Sequence, residues 1–417
     1  MKKRILIVLL LCVFGTALAG GLYLLSSQDL ISIDDEKEAF DPVEINDEET
    51  IASVPDYRVS IVISGSNVIH ESILNQAKKD APKTKNQKSE DAYDFRPLYK
   101  NIQGTLGASD FAVCNQTTLV GANNQSDAFS GYPLFNAPAK LADDLIEVGF
   151  DAFNIASNHL LDLGSGGKKN SVMMWKQKKT YLIGGESSEQ EWDDVASKII
   201  EIDGVNLCFL GYTATTNGLY PDKDTFVPYY TLNETALRKD RVQSQIRAAK
   251  DVADAVIVLV NWANNASFDV TEHQTETAAM FCEAGADVIV GVGPAVIQKI
   301  EWITDREGTH KTLCAYSLGN TMGTMQYMEN LLGGFLSFTA VKDHDHCYIS
   351  DVLFRPTVIH YDQLRENIAL YPLQAYTEEI FSRHGSNLLY GFSDYKEFVT
   401  IPRKVIAPEF LPANLRN

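Results

Sequence analysis

The chain has 417 residues, enough for one large domain or two ordinary ones, and 45% of them are hydrophobic, as in a globular protein with a substantial core. Its formal net charge is −19 at pH 7 and its sequence pI is about 4.8. This excess of acid argues against nucleic acid as a partner and against electrostatic docking on an anionic surface.

The amino end predicts a membrane anchor. Basic residues at positions 2–4 precede an uncharged apolar run from Ile5 to Leu25, and about 20 such residues span a bilayer as a helix. The basic residues predict a single-pass protein with a cytoplasmic amino terminus and an extracellular body. Ala17-Leu-Ala19 offers the alternative of a signal-peptidase site. The apolar run continues past it, which favours an uncleaved signal anchor over residues 1–25.

Residues 26–54 are rich in Asp and Glu and contain almost no basic residue. A segment of this composition cannot bury enough apolar surface to fold by itself. We therefore predict a solvated acidic linker between the membrane and the folded domain.

The six cysteines predict neither a disulfide framework nor a zinc site, because no pair has C-x-x-C spacing. Cys12 lies in the apolar run at the amino end. Burial as small hydrophobic residues is predicted for the cysteines in apolar stretches, namely Cys114, Cys208, Cys282 and Cys314. An extracellular protein without a disulfide pattern is typical of a Gram-positive bacterium, which has a single membrane.

From residue 55 onward predicted strands alternate with predicted helices, which is typical of the α/β class. Apolar strands are predicted at 58–65, 110–114, 148–155, 180–184, 205–212, 255–260, 287–291 and 312–319, with an antiparallel pair at 335–341 and 347–354. Helices are predicted at 95–106, 139–148, 166–179, 234–252 and 271–284. The pattern predicts one domain over residues 55–355 and a C-terminal extension, 356–417, that packs on it or covers it.

The stretch Ile155-Ala-Ser-Asn-His-Leu-Leu-Asp-Leu-Gly164 carries the densest set of reactive groups. The strand predicted before it delivers Asn158, His159 and Asp162 to its carboxyl end, where ligands bind in open α/β sheets. An amide, an imidazole and a carboxylate so close together predict a functional site. The alternative is a structural turn, in which the Asn caps a helix and the His is satisfied internally.

The strand-end motifs, read as a set and in order, resemble those of the CapA family of bacterial capsule-synthesis proteins. The matching motifs are Phe-Asn-Ala-Pro (135–138), Ala-Ser-Asn-His-Leu-Leu-Asp-Leu-Gly (156–164), Thr-Asn-Gly (216–218), Ala-Gly-Ala-Asp-Val-Ile-Val-Gly (284–291), Val-Ile-Gln (296–298) and Tyr-Ser-Leu-Gly-Asn (316–320). The resemblance extends over residues 58–341. It implies a four-layer α/β/β/α sandwich of metallophosphatase type and a membrane-anchored role in poly-γ-glutamate capsule production.

The chain departs from the family pattern where the resemblance implies metal ligands. The family's Gly-Asp, Asn-Leu-Glu, His-Trp-Gly and His-Pro-His are here Gly65-Ser66, Asn115-Gln116-Thr117, Asn261-Trp262-Ala263 and Gly293-Pro294-Ala295. Either Gln116 or Thr117 replaces the acid of the second motif, and only Asn158-His159 is retained. Neutral amides and one imidazole are too weak a ligand set for two cations that must activate a water. We therefore predict no metal and no cofactor, with a divalent cation such as Mn or Zn as the alternative.

The resemblance and these departures predict an extracellular protein of poly-γ-glutamate synthesis, export or attachment that is not catalytic at the former metal site. It would bind an anionic surface polymer such as poly-γ-glutamate, capsule synthase membrane proteins, or both, and no nucleic acid. The residues predicted to contact the polymer or partner are Asn115, Asn158, His159, Asn261, Trp262 and Asn320.

Two alternatives stay open. The first is a hydrolase of phosphoester or γ-glutamyl amide bonds, with His159 as the catalytic residue and Asp162 orienting it. In this enzyme Ser66 could complete a Ser-His-Asp arrangement, although it lacks the sequence context of a nucleophile elbow. The second alternative is a surface-anchored structural domain without a ligand.

Overall fold

The computed structural model describes residues 57–83, 92–125, 128–231, 237–262, 266–344, 346–386 and 394–416. The predicted anchor (1–25) and acidic linker (26–54) therefore lie outside the described residues. Within the ranges given above, no helix is long and apolar enough to cross a membrane.

The strands of the described chain form two sheets. They are β1 (Tyr57–Asn67), β2 (Phe111–Gln116), β3 (Ala152–Asn154), β4 (Tyr181–Ile183), β5 (Ile199–Ile202), β6 (Val205–Thr213), β7 (Ala255–Asn261), β8 (Val288–Val292), β9 (Ile300–Thr304), β10 (Lys311–Ala315), β11 (Asn320–Met322), β12 (Leu332–Asp343), β13 (His346–His360) and β14 (Ala369–Pro372). The first sheet has the order β14-β13-β12-β1-β2-β3-β4, with β11 also paired to β1, and the second has the order β5-β6-β7-β8-β10-β9.

Both sheets combine a parallel centre with antiparallel edges. In the first sheet β1 to β4 run parallel, whereas β12, β13 and β14 add antiparallel strands on the other side of β1. In the second sheet β6, β7, β8 and β10 run parallel, and β5 and β9 are antiparallel edge strands. Parallel strands end at the same edge of a sheet, so their carboxyl ends can build one site.

The helices precede or follow these strands. The α-helices are α1 (Glu71–Asp80), α2 (Arg96–Tyr99), α3 (Gln103–Leu106), α4 (Lys140–Val148), α5 (Gly164–Lys176), α6 (Glu189–Asp193), α7 (Lys239–Lys250), α8 (Glu272–Glu283), α9 (Glu378–Phe381) and α10 (Tyr395–Val405). Short 3₁₀ turns occur at Lys100–Ile102, Ala196–Lys198, Met328–Asn330, Leu373–Ala375, Pro408–Phe410 and Ala413–Leu415.

Alternate residues of β7 contribute to two different cores. Val256, Val258 and Val260 pack in the cluster that contains Ile246 of α7 and Phe281 of α8. Ile257 and Leu259 instead join the large cluster that contains the apolar residues of β1, β2 and β12. The second sheet therefore has the first sheet on one face and helices on the other. Full burial of each such Val, Ile or Leu side chain is worth about 1.5–3 kcal/mol.

The mixed α/β class is confirmed, and so is the antiparallel pair, as β12 and β13. The continuous helix predicted at 95–106 is wrong, because the structure forms α2, a 3₁₀ turn and α3 there. Asn101, a poor helix former, lies in this 3₁₀ turn. The sequence reading also missed β5, β9 and β14, which are short, partly exposed edge strands.

Cys114, Cys208, Cys282 and Cys314 are buried free thiols, as predicted, whereas Cys347 is partly exposed and Cys12 lies outside the described residues. Strand β13 runs across the predicted boundary at residues 355 and 356. In the extension beyond it, Phe398 and Leu411 join the same large core as β1. The predicted domain boundaries themselves stay predictions.

Candidate functional site

The site lies where the strand ends of both sheets meet. Ser66, at the end of β1, pairs in register with Asn115 of β2 and with Asn320 of β11. In the second sheet, Asn261 ends β7, and its Nδ2 donates to Oδ1 of Asn158, 3.3 Å away on the loop after β3. Predicted residues from separate parts of the chain are thus brought to one edge. We call this place the strand-end cleft.

The first part of the cleft is a network of neutral groups. The Nδ2 of Asn67 donates to Oε1 of Gln116 over 2.7 Å, and Gln116 in turn donates from Nε2 to the carbonyl of Thr118 over 2.8 Å. The Tyr99 hydroxyl donates to Oδ1 of Asn67 over 2.7 Å. Burial raises the pKa of Tyr99 well above its usual value, so this phenol stays protonated. Gln116 and Thr117 were the two candidate replacements for the acid of the family motif. Gln116 is the one whose side chain belongs to this network.

Asn115 cross-links the sheet. Its Nδ2 donates to the carbonyl of Ser64 over 2.6 Å, and its Oδ1 accepts from Nδ2 of Asn154 over 2.8 Å. Asn154 also accepts from the backbone N–H of Ala156 through its Oδ1. The amide of Asn115 is buried, and both its ends are used within the protein. Its structural contribution is therefore to hold β1, β2 and β3 in register.

Asn158 lies between the two sheets. Its Nδ2 donates to Oδ1 of Asn217 over 3.2 Å, while its Oδ1 accepts from Asn261. Both distances are at the long end of the hydrogen-bond range. Asn217 has a positive φ of 54°, a conformation that Asn tolerates better than most residues. This weakly bonded amide joins the loop after β3 to the loop after β6.

His159 and Asp162 form a buried dyad. Nδ1 of His159 lies 2.8 Å from Oδ2 of Asp162, and the backbone N–H of Phe135 donates to the same oxygen over 2.7 Å. The carboxylate can only accept these bonds, so Nδ1 of His159 carries a proton and donates it to Asp162. The imidazole is 13% exposed, whereas the carboxylate is 1% exposed and its Oδ1 has no partner among the described residues.

His70 is a site residue that the sequence reading did not single out. Its ring packs edge-on against Phe135 at 5.5 Å, and Phe135 packs edge-on against His159 at 4.7 Å. Nδ1 of His70 accepts the backbone N–H of Thr324 over 3.2 Å. Burial, and then the charges of Arg365 and His159, lower the pKa of His70 to about 4. Its position directly before α1, at the end of β1, was a signal that could have identified it.

Two predicted side chains, those of Asn320 and Trp262, use their polar groups elsewhere. Asn320 donates from Nδ2 to the carbonyls of Ala295 and Asn330. The Trp262 indole donates to the Tyr316 carbonyl over 2.6 Å and packs in the core of the second sheet. Ser66 is buried at the end of β1, and the structure records no hydrogen bond between it and His159. The geometry forms only the His-Asp half of the Ser-His-Asp alternative.

A dinuclear metal centre does not fit these donors. Within the part of the chain that the structure describes, no three His, Cys, Asp or Glu side chains are grouped so that they could hold a metal ion. The amides of Asn67, Asn115 and Gln116 are already bonded to one another or to backbone carbonyls. Two hard cations require several carboxylate or imidazole ligands. We therefore derive no chemical step through a metal at this site.

Comparison with known proteins gives the family. The family described as bacterial capsule synthesis protein PGA_cap matches residues 60–324. The capsule biosynthesis protein CapA of Bacillus anthracis is 29% identical over 232 residues, which cover 54% of this chain and 53% of that protein. The PGA biosynthesis protein CapA of Bacillus subtilis (strain 168) is 29% identical over 239 residues, covering 54% of this chain and 56% of that protein.

Each alignment thus spans about half the length of the curated relative it matches. Among solved structures, a putative 5′-nucleotidase from Staphylococcus aureus in complex with α-ketoglutarate aligns over 78% of this chain and 57% of that chain, with 12% identity and a TM-score of 0.39. The family match covers well over half of the chain and confirms the resemblance predicted from the strand-end motifs. The chain belongs to the PGA_cap family of bacterial capsule synthesis proteins, with most of the implied metal-ligand positions substituted.

Proposed function

We propose that this protein is a membrane-anchored, extracellular component of poly-γ-glutamate capsule synthesis, export or attachment that binds rather than cleaves its polymer. Residues 1–25 would form the anchor, with a cytoplasmic amino terminus, and residues 26–54 the spacer. The domain would have the four-layer α/β/β/α arrangement of the metallophosphatases. Family membership and the names of the curated relatives support the link to capsule production.

The observation that carries the proposal is the neutral donor set of the strand-end cleft. Where the family pattern has acids, this chain has Ser66 and Gln116, and Gln116 is bonded to Asn67 at 2.7 Å. The loss of negative charge reduces the repulsion that a polyanion would meet on entering the cleft. The same loss removes the ligands that would bind catalytic cations. Both consequences favour binding over metal-dependent hydrolysis.

The predicted contact residues contribute unequally to this function. Asn158 and His159 border the cleft, and Asn261 supports Asn158 from the second sheet. Asn115, Asn320 and Trp262 would act indirectly, by holding strands and loops in place. Membrane proteins of the capsule synthase are proposed as further partners, because polymer that emerges from a membrane enzyme must reach an anchored binding protein.

The second candidate is a hydrolase of phosphoester or γ-glutamyl amide bonds. The observation that favours it is the His159–Asp162 dyad, in which a carboxylate holds the imidazole so that Nε2 can accept a proton. Such a group can act as a general base. In this candidate His159 would activate a water or a substrate hydroxyl directly.

One experiment separates the two candidates. The full-length protein, purified in detergent, is mixed with poly-γ-glutamate of narrow length distribution, and both binding and polymer shortening are measured. Binding without shortening supports the proposed function. Shortening that disappears in a His159→Gln variant would instead establish the hydrolase. Absence of both binding and shortening would contradict the proposed function and a hydrolase of γ-glutamyl bonds.

The topology has its own test. In intact cells that express the full-length protein, an added protease is expected to cleave the domain while the protein remains in the membrane fraction. Protection of the domain in intact cells, or its release into the medium without protease, would contradict the proposed anchor.

A further inference from the structure

The turn Asp362–Asn367 follows β13 and lies outside the family match at residues 60–324. It is attached to α1, the helix that begins after His70. The backbone N–H of Asn367 donates to Oε1 of Gln76 over 2.9 Å, and Lys79 pairs with Glu366 at 2.8 Å. The turn is therefore held beside the segment that carries one of the cleft histidines.

Arg365 is the central residue of this turn and packs against the protein. Its guanidinium carbon lies 5.9 Å from the ring centre of the buried Tyr361. The Tyr361 hydroxyl donates to the Met325 carbonyl over 2.5 Å, and the preceding residue, Thr324, donates to His70. Through Tyr361 and the segment of residues 324 and 325, these contacts link Arg365 to His70, whose pKa the charge of Arg365 also lowers. Arg365 has a positive φ of 55°, which is uncommon for a residue other than glycine.

Arg365 forms no ion pair among the described residues, which is unusual in so acidic a protein. The net charge is −19, yet no Asp or Glu of the described ranges forms an ion pair with Arg365. The carboxylates of its own turn are already engaged. Asp362 accepts from the backbone N–H groups of Leu364 and Glu366 and from the Asn367 side chain, and Glu366 pairs with Lys79. A guanidinium that forms no ion pair among the described residues is suited to bind a carboxylate from outside.

We propose that Arg365 and His159 together recognise the repeating unit of a γ-linked polyglutamate chain, Arg365 binding an α-carboxylate and His159 accepting an amide N–H. The inference rests on the proposed function and deepens it. The Arg365 guanidinium can form a paired, charge-assisted bond to a carboxylate. Because Nδ1–H of His159 is bonded to Asp162, Nε2 is the ring nitrogen left to bond a ligand, and in the neutral imidazole it accepts. The C-terminal extension thereby supplies the cation that selects the polymer.

The test measures equilibrium binding of a γ-linked glutamate oligomer to the full-length protein in detergent, for wild type and for Arg365→Gln, Arg365→Lys, His159→Gln and Arg306→Gln. Arg306 is the matched control because it is 82% exposed. It lies in the turn before β10, at the opposite end of that strand from the cleft. A second oligomer, with its α-carboxylates converted to amides, tests which group of the ligand is recognised.

We expect Arg365→Gln to weaken binding of the glutamate oligomer roughly tenfold or more, the typical effect of losing a charge-assisted hydrogen bond pair. Arg365→Lys should retain part of the affinity, since it keeps the charge without the planar fork. His159→Gln should also weaken binding, and Arg306→Gln should leave it unchanged. The amidated oligomer should bind wild type and Arg365→Gln equally weakly.

The possible failures are distinguishable. If wild type binds and His159→Gln weakens binding while Arg365→Gln does not, the inference about Arg365 is wrong and the proposed function stands. If Arg306→Gln weakens binding as much as Arg365→Gln, the effect is one of net charge and the inference is wrong. If wild type binds no oligomer, both the inference and the proposed function fail. Weaker binding by Arg365→Gln without a change in thermal unfolding excludes misfolding as the cause.

Discussion

Two buried histidines of the C-terminal extension are expected to make the protein acid-sensitive. His360 and His384 pack edge to face at 5.1 Å, and both are buried. Nε2 of His384 lies 3.0 Å from the Ile359 carbonyl, and its Nδ1 accepts the backbone N–H of Ser386 over 3.1 Å. Burial lowers the pKa of each histidine to about 4. Both rings are therefore neutral in the folded protein at pH 7.

The size of the effect follows from that pKa. The unfolded chain binds protons near pH 6.5, whereas the folded protein resists them until about pH 4. Stability is therefore complete above pH 6.5 and is lost as the pH falls towards 4. At about 1.4 kcal/mol per pKa unit, His384 accounts for a loss of about 3 kcal/mol over this range. The charge of His384 also helps to lower the pKa of His360, so its removal relieves part of the cost there.

The groups around His360 and His384 are consistent with a lowered pKa for both histidines. The aromatic rings of Tyr361, Tyr371 and Tyr376 contact this pair. The charge of Arg383 lowers the pKa of His360 further, and that of Asp362 raises it. At His360 the effects that lower the pKa outweigh the effect of Asp362. Burial is the largest cause of the lowered pKa at both histidines.

The assay is urea unfolding of the full-length protein, followed by circular dichroism at pH values from 7.5 to 4, for wild type and His384→Gln. We expect wild type to lose about 3 kcal/mol more unfolding free energy over this range than the variant. His344→Gln is the control, because this side chain is 65% exposed and its replacement should follow wild type within about 0.5 kcal/mol. Parallel losses in wild type and His384→Gln would refute the reasoning.

Three further outcomes are expected. Purified full-length protein, expressed with manganese, zinc and iron supplied, should contain much less than one metal ion per chain by elemental analysis, and near-stoichiometric metal would revive the enzyme candidate. Gly291→Ala should cost about 3 kcal/mol in urea unfolding, because the added methyl group would overlap the Trp262 indole, whereas Gly104→Ala, with open space around it, should cost nothing. Asp162→Asn should shift the proton of His159 from Nδ1 to Nε2, visible in nitrogen NMR of the labelled ring, and a ring that keeps Nδ1–H would contradict the assigned role of Asp162.

Most of the fold could be predicted because its central strands are continuous runs of apolar residues in the sequence. The run Ala255–Val260 is continuously apolar, and it forms a strand buried on both faces. The Ser-Asn-His turn was identified for a similar reason, since polar groups directly follow an apolar strand. The edge strands β5 and β9 were missed, because they are partly exposed and mix charged with apolar residues.

The substitution of the metal ligands was determined by the sequence itself, because Ser66, Gln116 and Asn261 offer only neutral, weak ligands and the Ala295 side chain offers none. Which polar groups reach the cleft was decided only by the tertiary structure. Asn115 and Asn158 are both amides that follow apolar strands, yet the first is used inside the sheet and the second borders the cleft.

The positions of His70 and Arg365 relative to His159 also depended on tertiary structure. These three residues are far apart in the chain. His70 and His159 both pack on Phe135, and Arg365 contacts the Tyr361 ring from the turn after β13. A sequence pattern shows periodicity over a few neighbouring residues. Contacts between residues that are distant in the chain depend instead on the order of strands in the sheets and on the paths of the loops. The residue types can therefore be read from the sequence, whereas the side chains that they pack against are decided only by the tertiary structure.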